Sequence, residues 1–186
     1  MKRKTETVQK VQTADADLQL VLSNAIGMTE SALEEAVDYC GRKMGTDDRQ
    51  TVVEQLKQGD RTACGYLYYH LAGQVAEWLG AWDESIKAVY IYDSDATAED
   101  VCFGRPETPP MLHLLIWVQR KTNALDATLG VLSRALVQSY TELLGRPGLE
   151  HLLDAQVVDD NEVNNNIGYS ALLCSLHTCP IRIWER

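Results

Sequence analysis

Residues 86–92 read IKAVYIY and mark the point at which the sequence pattern changes. Upstream, apolar residues recur with helical spacing, whereas here β-branched and aromatic residues crowd together and end in Asp-Ser-Asp, which is typical of a strand. Residues 111–118 (MLHLLIWV) predict a second strand, apolar enough to be buried on both faces. Residues 155–158 (AQVV) and 181–184 predict two more, and Pro180 suits the last one to the edge of a sheet.

Helical periodicity surrounds these strands on both sides. Three helices are expected after a first apolar face at residues 18–25, and they fill the N-terminal half. Residues 123–144 keep the same period, and residues 168–177 predict a last helix. The expected N-cap residues are, in chain order, Thr29 or Ser31, Thr46, Asp60 and Asn123.

This order of elements predicts an α+β fold. Helices come first and strands dominate the second half, so we expect a helical N-terminal half packed on a small mixed sheet of about four strands. Residues 1–13 carry a surplus of Lys and Arg with little apolar content, and they predict a disordered basic tail. Residues 14–186 then form a single α+β domain, because no linker divides them.

Charge and cysteine content limit the classes of partner. The 186 residues carry a net charge of −10, which repels phosphate backbones and anionic lipid, so neither nucleic acid nor a membrane is an expected partner. No apolar run is long enough to span a bilayer, and no secretory signal opens the chain. Five cysteines, an odd number, predict free thiols in a reducing compartment. We therefore predict a cytoplasmic protein.

Acidic residues follow two of the predicted strands. Asp93 and Asp95 follow the first strand, and Asp159 and Asp160 follow the third. If these strands are neighbours and point the same way, four carboxylates converge, and such oxygen ligands suit Mg²⁺. The pattern resembles nucleotidyltransferases, in which a D-x-D at a strand end and a later acid hold metal ions. The glycine-serine signature of that family is missing before the D-x-D. The alternative is that each Asp bonds local backbone N–H groups where a strand turns into a loop.

A second candidate metal site lies near the C-terminus. Cys174, His177 and Cys179 form a C-x-x-H-x-C pattern, and soft sulfur and nitrogen ligands suit Zn²⁺. No second Cys or His pair at matching spacing completes the site. The alternative is a buried cysteine beside a histidine that is stabilised by the negative end of a helix.

A third candidate is the tyrosine and histidine face of the helix after Asp60. Tyr66, Tyr69, His70 and Gly73 lie close together there and would line a pocket or simply pack in the core. The chain contains no P-loop, no G-x-S-x-G, no G-x-G-x-x-G and no H-E-x-x-H motif. No nucleophile with its base is therefore indicated.

The sequence leads to one leading interpretation of function and one alternative. The leading interpretation is a non-catalytic binding or regulatory domain that binds a small-molecule ligand and forms a homodimer. The alternative is a Mg²⁺-dependent enzyme acting on a phosphate-containing small molecule, with Asp93, Asp95, Asp159 and Asp160 as ligands. The ligand, the order of strands in the sheet and the oligomeric state do not follow from the sequence.

Overall fold

The computed structural model of the chain describes residues 2–92, 111–145, 150–175 and 180–186, with the backbone alone for residues 2–22. The predicted α+β class is confirmed, with helices in the N-terminal half and a mixed four-stranded sheet in the C-terminal half. The elements are α1 (Lys2–Met44), α2 (Arg49–Gln58), α3 (Arg61–Trp82), β1 (Ile86–Ile91), β2 (Leu112–Val118), α4 (Asn123–Leu144), β3 (Leu153–Asp159), α5 (Asp160–Asn165), a 3-10 helix (Gly168–Cys174) and β4 (Ile181–Glu185).

Helix α1 is continuous, whereas the sequence predicted a helix boundary at Thr29 or Ser31. The hydroxyl of Thr29 donates to the carbonyl of Ile26 at 2.9 Å and lies 3.0 Å from the hydroxyl of Ser139 on α4. Because these partners lie inside the packed helices, Thr29 is buried within α1 instead of capping a new helix. The predicted cap is therefore wrong. The helical backbone already begins at Lys2, and the division into a tail of residues 1–13 and a domain of residues 14–186 stays a prediction.

Two other predicted caps are displaced by one or two residues. Asp48, not Thr46, caps α2, and Thr122, not Asn123, caps α4. In each case the capping residue has extended backbone angles and its side chain accepts a hydrogen bond from a backbone N–H of the first turn, at 3.1 Å for Asp48 and 3.2 Å for Thr122. Asp60 caps α3 as expected, with a bond of 2.9 Å. All three caps still belong to the Ser, Thr, Asp and Asn group that is favoured at helix starts.

The last predicted helix is shorter and tighter than its sequence suggested. Residues 168–174 form a 3-10 helix instead of an α-helix over residues 168–177. Ser170 anchors it, because its hydroxyl donates to the carbonyls of Ile167 and Glu162 at 2.6 and 2.7 Å. The sequence also gave no indication of α5. Asp159 and Glu162 form a reciprocal capping box that starts this helix directly after β3.

The sheet has the order β3-β2-β1-β4. Strand β1 pairs antiparallel with both β2 and β4, and β2 pairs parallel with β3. The predicted edge position of the last strand is confirmed. Helix α4 supplies the crossover between the parallel strands β2 and β3, as such a connection requires.

One face of the sheet packs against the helices. Strand β2 turns Leu112, Leu114, Ile116 and Val118 toward them, and all four are buried. Helix α3 lies over β1 and β4, and α1 packs along both α3 and α4. The alternate residues of β2, among them His113, Leu115 and Trp117, face the other way. We call this second side of the sheet the outer face.

Gly80 near the end of α3 is required by its contact with Trp184 of β4. A Cβ atom at position 80 would overlap the six-membered ring of the Trp184 indole, so the ring lies directly on the helix backbone. Arg186 extends the contact, since its guanidinium donates to the carbonyl of Gly80 and lies 5.6 Å from the Trp184 ring. The last strand is therefore tied to the central helix through a position that has no side chain.

We predict that Gly80→Ala lowers the free energy of unfolding by about 1–3 kcal/mol, because the added methyl group forces Trp184 to move. Gly73→Ala is the matched control in the same helix, since nothing lies within 4 Å of a Cβ there. That change should raise stability by up to about 1 kcal/mol through helix propensity. Urea denaturation of both variants checks this, and equal effects of the two would refute the packing argument.

The described cysteines are free, with Cys40 and Cys64 buried and Cys174 exposed. Burial, with a smaller contribution from Cys64, raises the pKa of Cys40 to about 12. The thiol also donates to the carbonyl of Ala63 at 3.4 Å. Cys102 and Cys179 lie outside the described residues.

We predict that Cys40 reacts with an aromatic disulfide reagent far more slowly than Cys174 in the native protein at pH 8. With a pKa near 12, roughly one Cys40 in ten thousand is a thiolate at that pH. Mass spectrometry of peptides after timed labelling measures both rates. Comparable rates in the folded state would show that Cys40 is not held in the core, and unfolding in urea should make the rates similar.

Candidate functional site

The outer face of the sheet carries a polar cluster at the end where β1 finishes and β2 and β3 begin. Tyr92 directly follows β1, His113 is the second residue of β2, and Asp154 is the second residue of β3. The strand register places His113 beside Asp154, and the backbone N–H of Tyr92 donates to the carbonyl of His113 at 3.1 Å. Gln156 lies two residues further along β3 on the same face. We call Tyr92, His113, Asp154 and Gln156 the Asp154 cluster.

Three side chains converge on the carboxylate of Asp154. Tyr92 Oη donates to Oδ2 at 3.3 Å, His113 Nδ1 lies 3.0 Å from the same oxygen, and Gln156 Nε2 donates to Oδ1 at 2.7 Å. The side chain of Asp154 is 34 % exposed and that of His113 is 21 % exposed, so the cluster is open to solvent on one side. It is a connected hydrogen-bond network on a face whose centre is apolar.

The contact with Asp154 determines how His113 carries its proton. An ionised carboxylate accepts hydrogen bonds and cannot donate them, so Nδ1 must hold the proton in this pair. In the neutral imidazole the acceptor lone pair then belongs to Nε2. A carboxylate that orients an imidazole through Nδ1 also occurs behind histidines that bind metals or act as bases.

Tyr92 is a permanent donor in this network. The residue is buried, with 6 % exposed. Burial raises the pKa of its phenol far above the usual value, and the negative charge of Asp154 and the hydrogen bond to it raise the pKa further. Its ring also lies 5.5 Å from the His113 ring. The phenol therefore stays protonated at every physiological pH.

Two exposed apolar side chains flank the cluster. Met111, the residue before β2, is 41 % exposed and lies two residues before His113 in the sequence. Tyr169 of the 3-10 helix is 51 % exposed and is near enough to Tyr92 to contribute to its raised pKa. A few convergent polar groups bordered by apolar and aromatic surface are typical of a small-molecule site.

The strand order does not meet the condition set for the predicted acidic site, which stays a prediction because two of its four residues are not described. It required β1 and β3 to be neighbours that point the same way, but β2 separates them and they run antiparallel. The ends of the two strands therefore lie at opposite ends of the sheet. Asp93 and Asp95 themselves lie outside the described residues.

The other two predicted metal ligands have local partners. Asp159 caps α5 by accepting from the backbone N–H of Glu162 at 3.0 Å. Asp160 accepts from Lys87 at 2.7 Å and from the indole of Trp117 at 2.9 Å. Hydrogen bonds from Lys87, then from Trp117, lower the pKa of Asp160. Both residues thus fit the alternative interpretation, in which an Asp at a strand end satisfies nearby donors.

The predicted Cys-His site can be followed only at its first residue. Cys174 is exposed and ends the 3-10 helix, with Ser175 as the C-cap. His177 and Cys179 lie outside the described residues, so this zinc site stays a prediction. Over the described ranges, no group of three or more His, Cys, Asp or Glu side chains could hold a metal ion.

The tyrosine and histidine face of α3 is largely a helix contact. His70 stacks on Tyr39 of α1 with ring centroids 4.8 Å apart, and Tyr66 meets the same ring edge-on at 6.3 Å. Tyr69 points away and is 46 % exposed. These rings join α1 to α3, as the core-packing alternative expected.

No helix within the described ranges is long and apolar enough to cross a membrane. No protein-family model, curated protein or solved structure matches the chain.

The Asp154 cluster was not found from the sequence, although one signal was present. His113 is the single ionisable residue in the otherwise apolar stretch MLHLLIWV. Tyr92 and Asp154 are 21 and 41 residues away from it in sequence, on either side. Only the strand order brings these three residues together, so their positions in the sequence do not indicate that they meet.

Proposed function

We propose that this chain is a non-catalytic binding or regulatory domain with its ligand site at the Asp154 cluster. The observation that carries the proposal is the convergence of Tyr92, His113 and Gln156 on one partly exposed carboxylate. Placing a charged group and its donors on a sheet face costs desolvation, which an apolar surface would not incur. At the centre of the same face, Leu115 and Val158 occupy their positions with apolar side chains, which do not incur this cost. A polar network beside exposed Met111 and Tyr169 is therefore better explained by ligand recognition than by folding.

A small molecule is the ligand class that best suits this site. The net charge of −10 disfavours nucleic acid and anionic lipid. The cluster is also compact, since hydrogen bonds from three side chains meet at one carboxylate. The cytoplasmic location and a homodimer remain predictions, and light scattering on the purified chain tests the second of these.

The proposal predicts that ligands found in a screen lose their effect when the cluster is altered. A thermal-shift panel of amines, alcohols, carboxylates, sugar phosphates and nucleotides would be applied to the wild type, His113→Leu and Tyr92→Phe. A ligand at 100 times its dissociation constant stabilises by about 2.7 kcal/mol, which is a rise of roughly 5–10 °C in a chain of this size. Both variants should abolish most of that rise.

Lys121→Ala is the control for this screen. Lys121 pairs with Glu162 at 2.7 Å away from the cluster, so its loss should leave ligand shifts intact. Shifts that persist in His113→Leu and Tyr92→Phe would place the ligand elsewhere and contradict the proposal. A panel that gives no shift in the wild type would count against a small-molecule site.

The alternative of a Mg²⁺-dependent enzyme leads to a separate prediction. It needs Asp93 and Asp95 to meet Asp159 and Asp160, whereas β1 and β3 end at opposite ends of the sheet. We expect millimolar Mg²⁺ to shift the melting temperature by less than about 2 °C. A larger shift that disappears in Asp93→Asn and Asp159→Asn would support the enzyme instead, and Asn at position 159 still caps a helix.

A further inference from the structure

We infer that the ligand of the Asp154 cluster is an organic cation, an ammonium group held by the Asp154 carboxylate next to the 3-10 helix that carries Tyr169. The inference rests on the proposed binding function and adds the chemical class of the ligand. It follows from the charge at the cluster, from the aromatic groups around it, and from the way the same sheet face holds one of its own ammonium groups.

The opposite end of the outer face contains a complete example of such a site. Lys87 Nζ lies 2.7 Å from both carboxylate oxygens of Asp160 and 5.5 Å from the centre of the Trp117 ring. A carboxylate and an aromatic ring thus share one ammonium group. This combination is favourable because the ring face and the carboxylate are both negative toward a cation.

Among the described residues, the Asp154 cluster also combines a carboxylate with aromatic rings, but it contains no Lys ammonium. In the part of the chain that the structure describes, Asp154 bonds to a phenol, an imidazole and an amide, and to no Lys or Arg. Arg182, the basic residue of β4, is held 2.8 Å from Glu185. A bound ammonium group would give Asp154 the kind of partner that Lys87 gives Asp160.

The surroundings favour a cation over other ligand classes. An anion would meet the charge of Asp154 and the overall charge of −10, whereas a cation is attracted by both. The exposed ring of Tyr169 and the polarisable sulfur of Met111 offer the soft, apolar lining that alkylated ammonium groups prefer. A neutral ligand would make the apolar contacts but would not be attracted by the charge of Asp154.

The test compares cations with neutral molecules of the same shape. Choline is paired with 3,3-dimethylbutan-1-ol, and benzylamine with benzyl alcohol, each titrated into the full-length chain by calorimetry at one ionic strength. We expect at least one cation to bind about tenfold more tightly than its neutral partner. Asp154→Asn should remove most of that preference, and Tyr169→Ala should weaken the cation about threefold or more.

Two variants keep the test decisive. Tyr169 is exposed, so Tyr169→Ala should fold even if Asp154→Asn does not. Glu142→Gln removes one negative charge from the exposed side of α4 and should leave all affinities unchanged, which separates the site from the overall charge. If neither cation binds more tightly than its neutral partner, the inference is overturned. The proposed site still stands in that case if Tyr169→Ala abolishes binding of the cation and of its neutral partner. If the cations bind Tyr169→Ala and Asp154→Asn as tightly as the wild type, the proposed site is contradicted as well.

Discussion

Strand β2 runs antiparallel to β1 and parallel to β3, and this pairing decides which side chains of the sheet can meet. The end of β1 and the start of β3 fall on the same side, so Tyr92 and Asp154 lie on either side of His113. By the same rule, the end of β1 and the end of β3 fall on opposite sides. One arrangement of three strands therefore creates the Asp154 cluster and separates the ends of the two strands that the predicted carboxylates follow.

The helices hold this arrangement in place. Alternate residues of β2 are buried against α3 and α4, and a shift of one residue would turn His113 and Trp117 into that core. The contact of Trp184 with the backbone at Gly80 ties β4 to α3, and β4 in turn borders β1. The register that builds the site is thus fixed by apolar packing on the face away from it.

Local signals explain how much of the fold followed from the sequence. The four strands, the edge position of the last one and the helices α2, α3 and α4 all have patterns within a few consecutive residues. The false boundary at Thr29 shows where such signals fail, because its hydroxyl bonds to Ser139 on α4, 110 residues away. The Asp154 cluster did not follow from the sequence for the same reason, since Tyr92 follows β1 while His113 and Asp154 lie on β2 and β3, and the order of these strands is a property of the whole sheet.

The two ends of the outer face differ in what completes them. At one end, Lys87 supplies a cation to Asp160 and Trp117, and the hydrogen bonds lower the pKa of that carboxyl. At the other end, Asp154 receives hydrogen bonds from three side chains, but none of these donors is an ammonium or guanidinium group. Hydrogen bonds from neutral groups orient a carboxylate without cancelling its charge. Among the described residues, hydrogen bonds thus orient Asp154 without a Lys or Arg partner, and the proposed binding site rests on this difference between the two ends of the face.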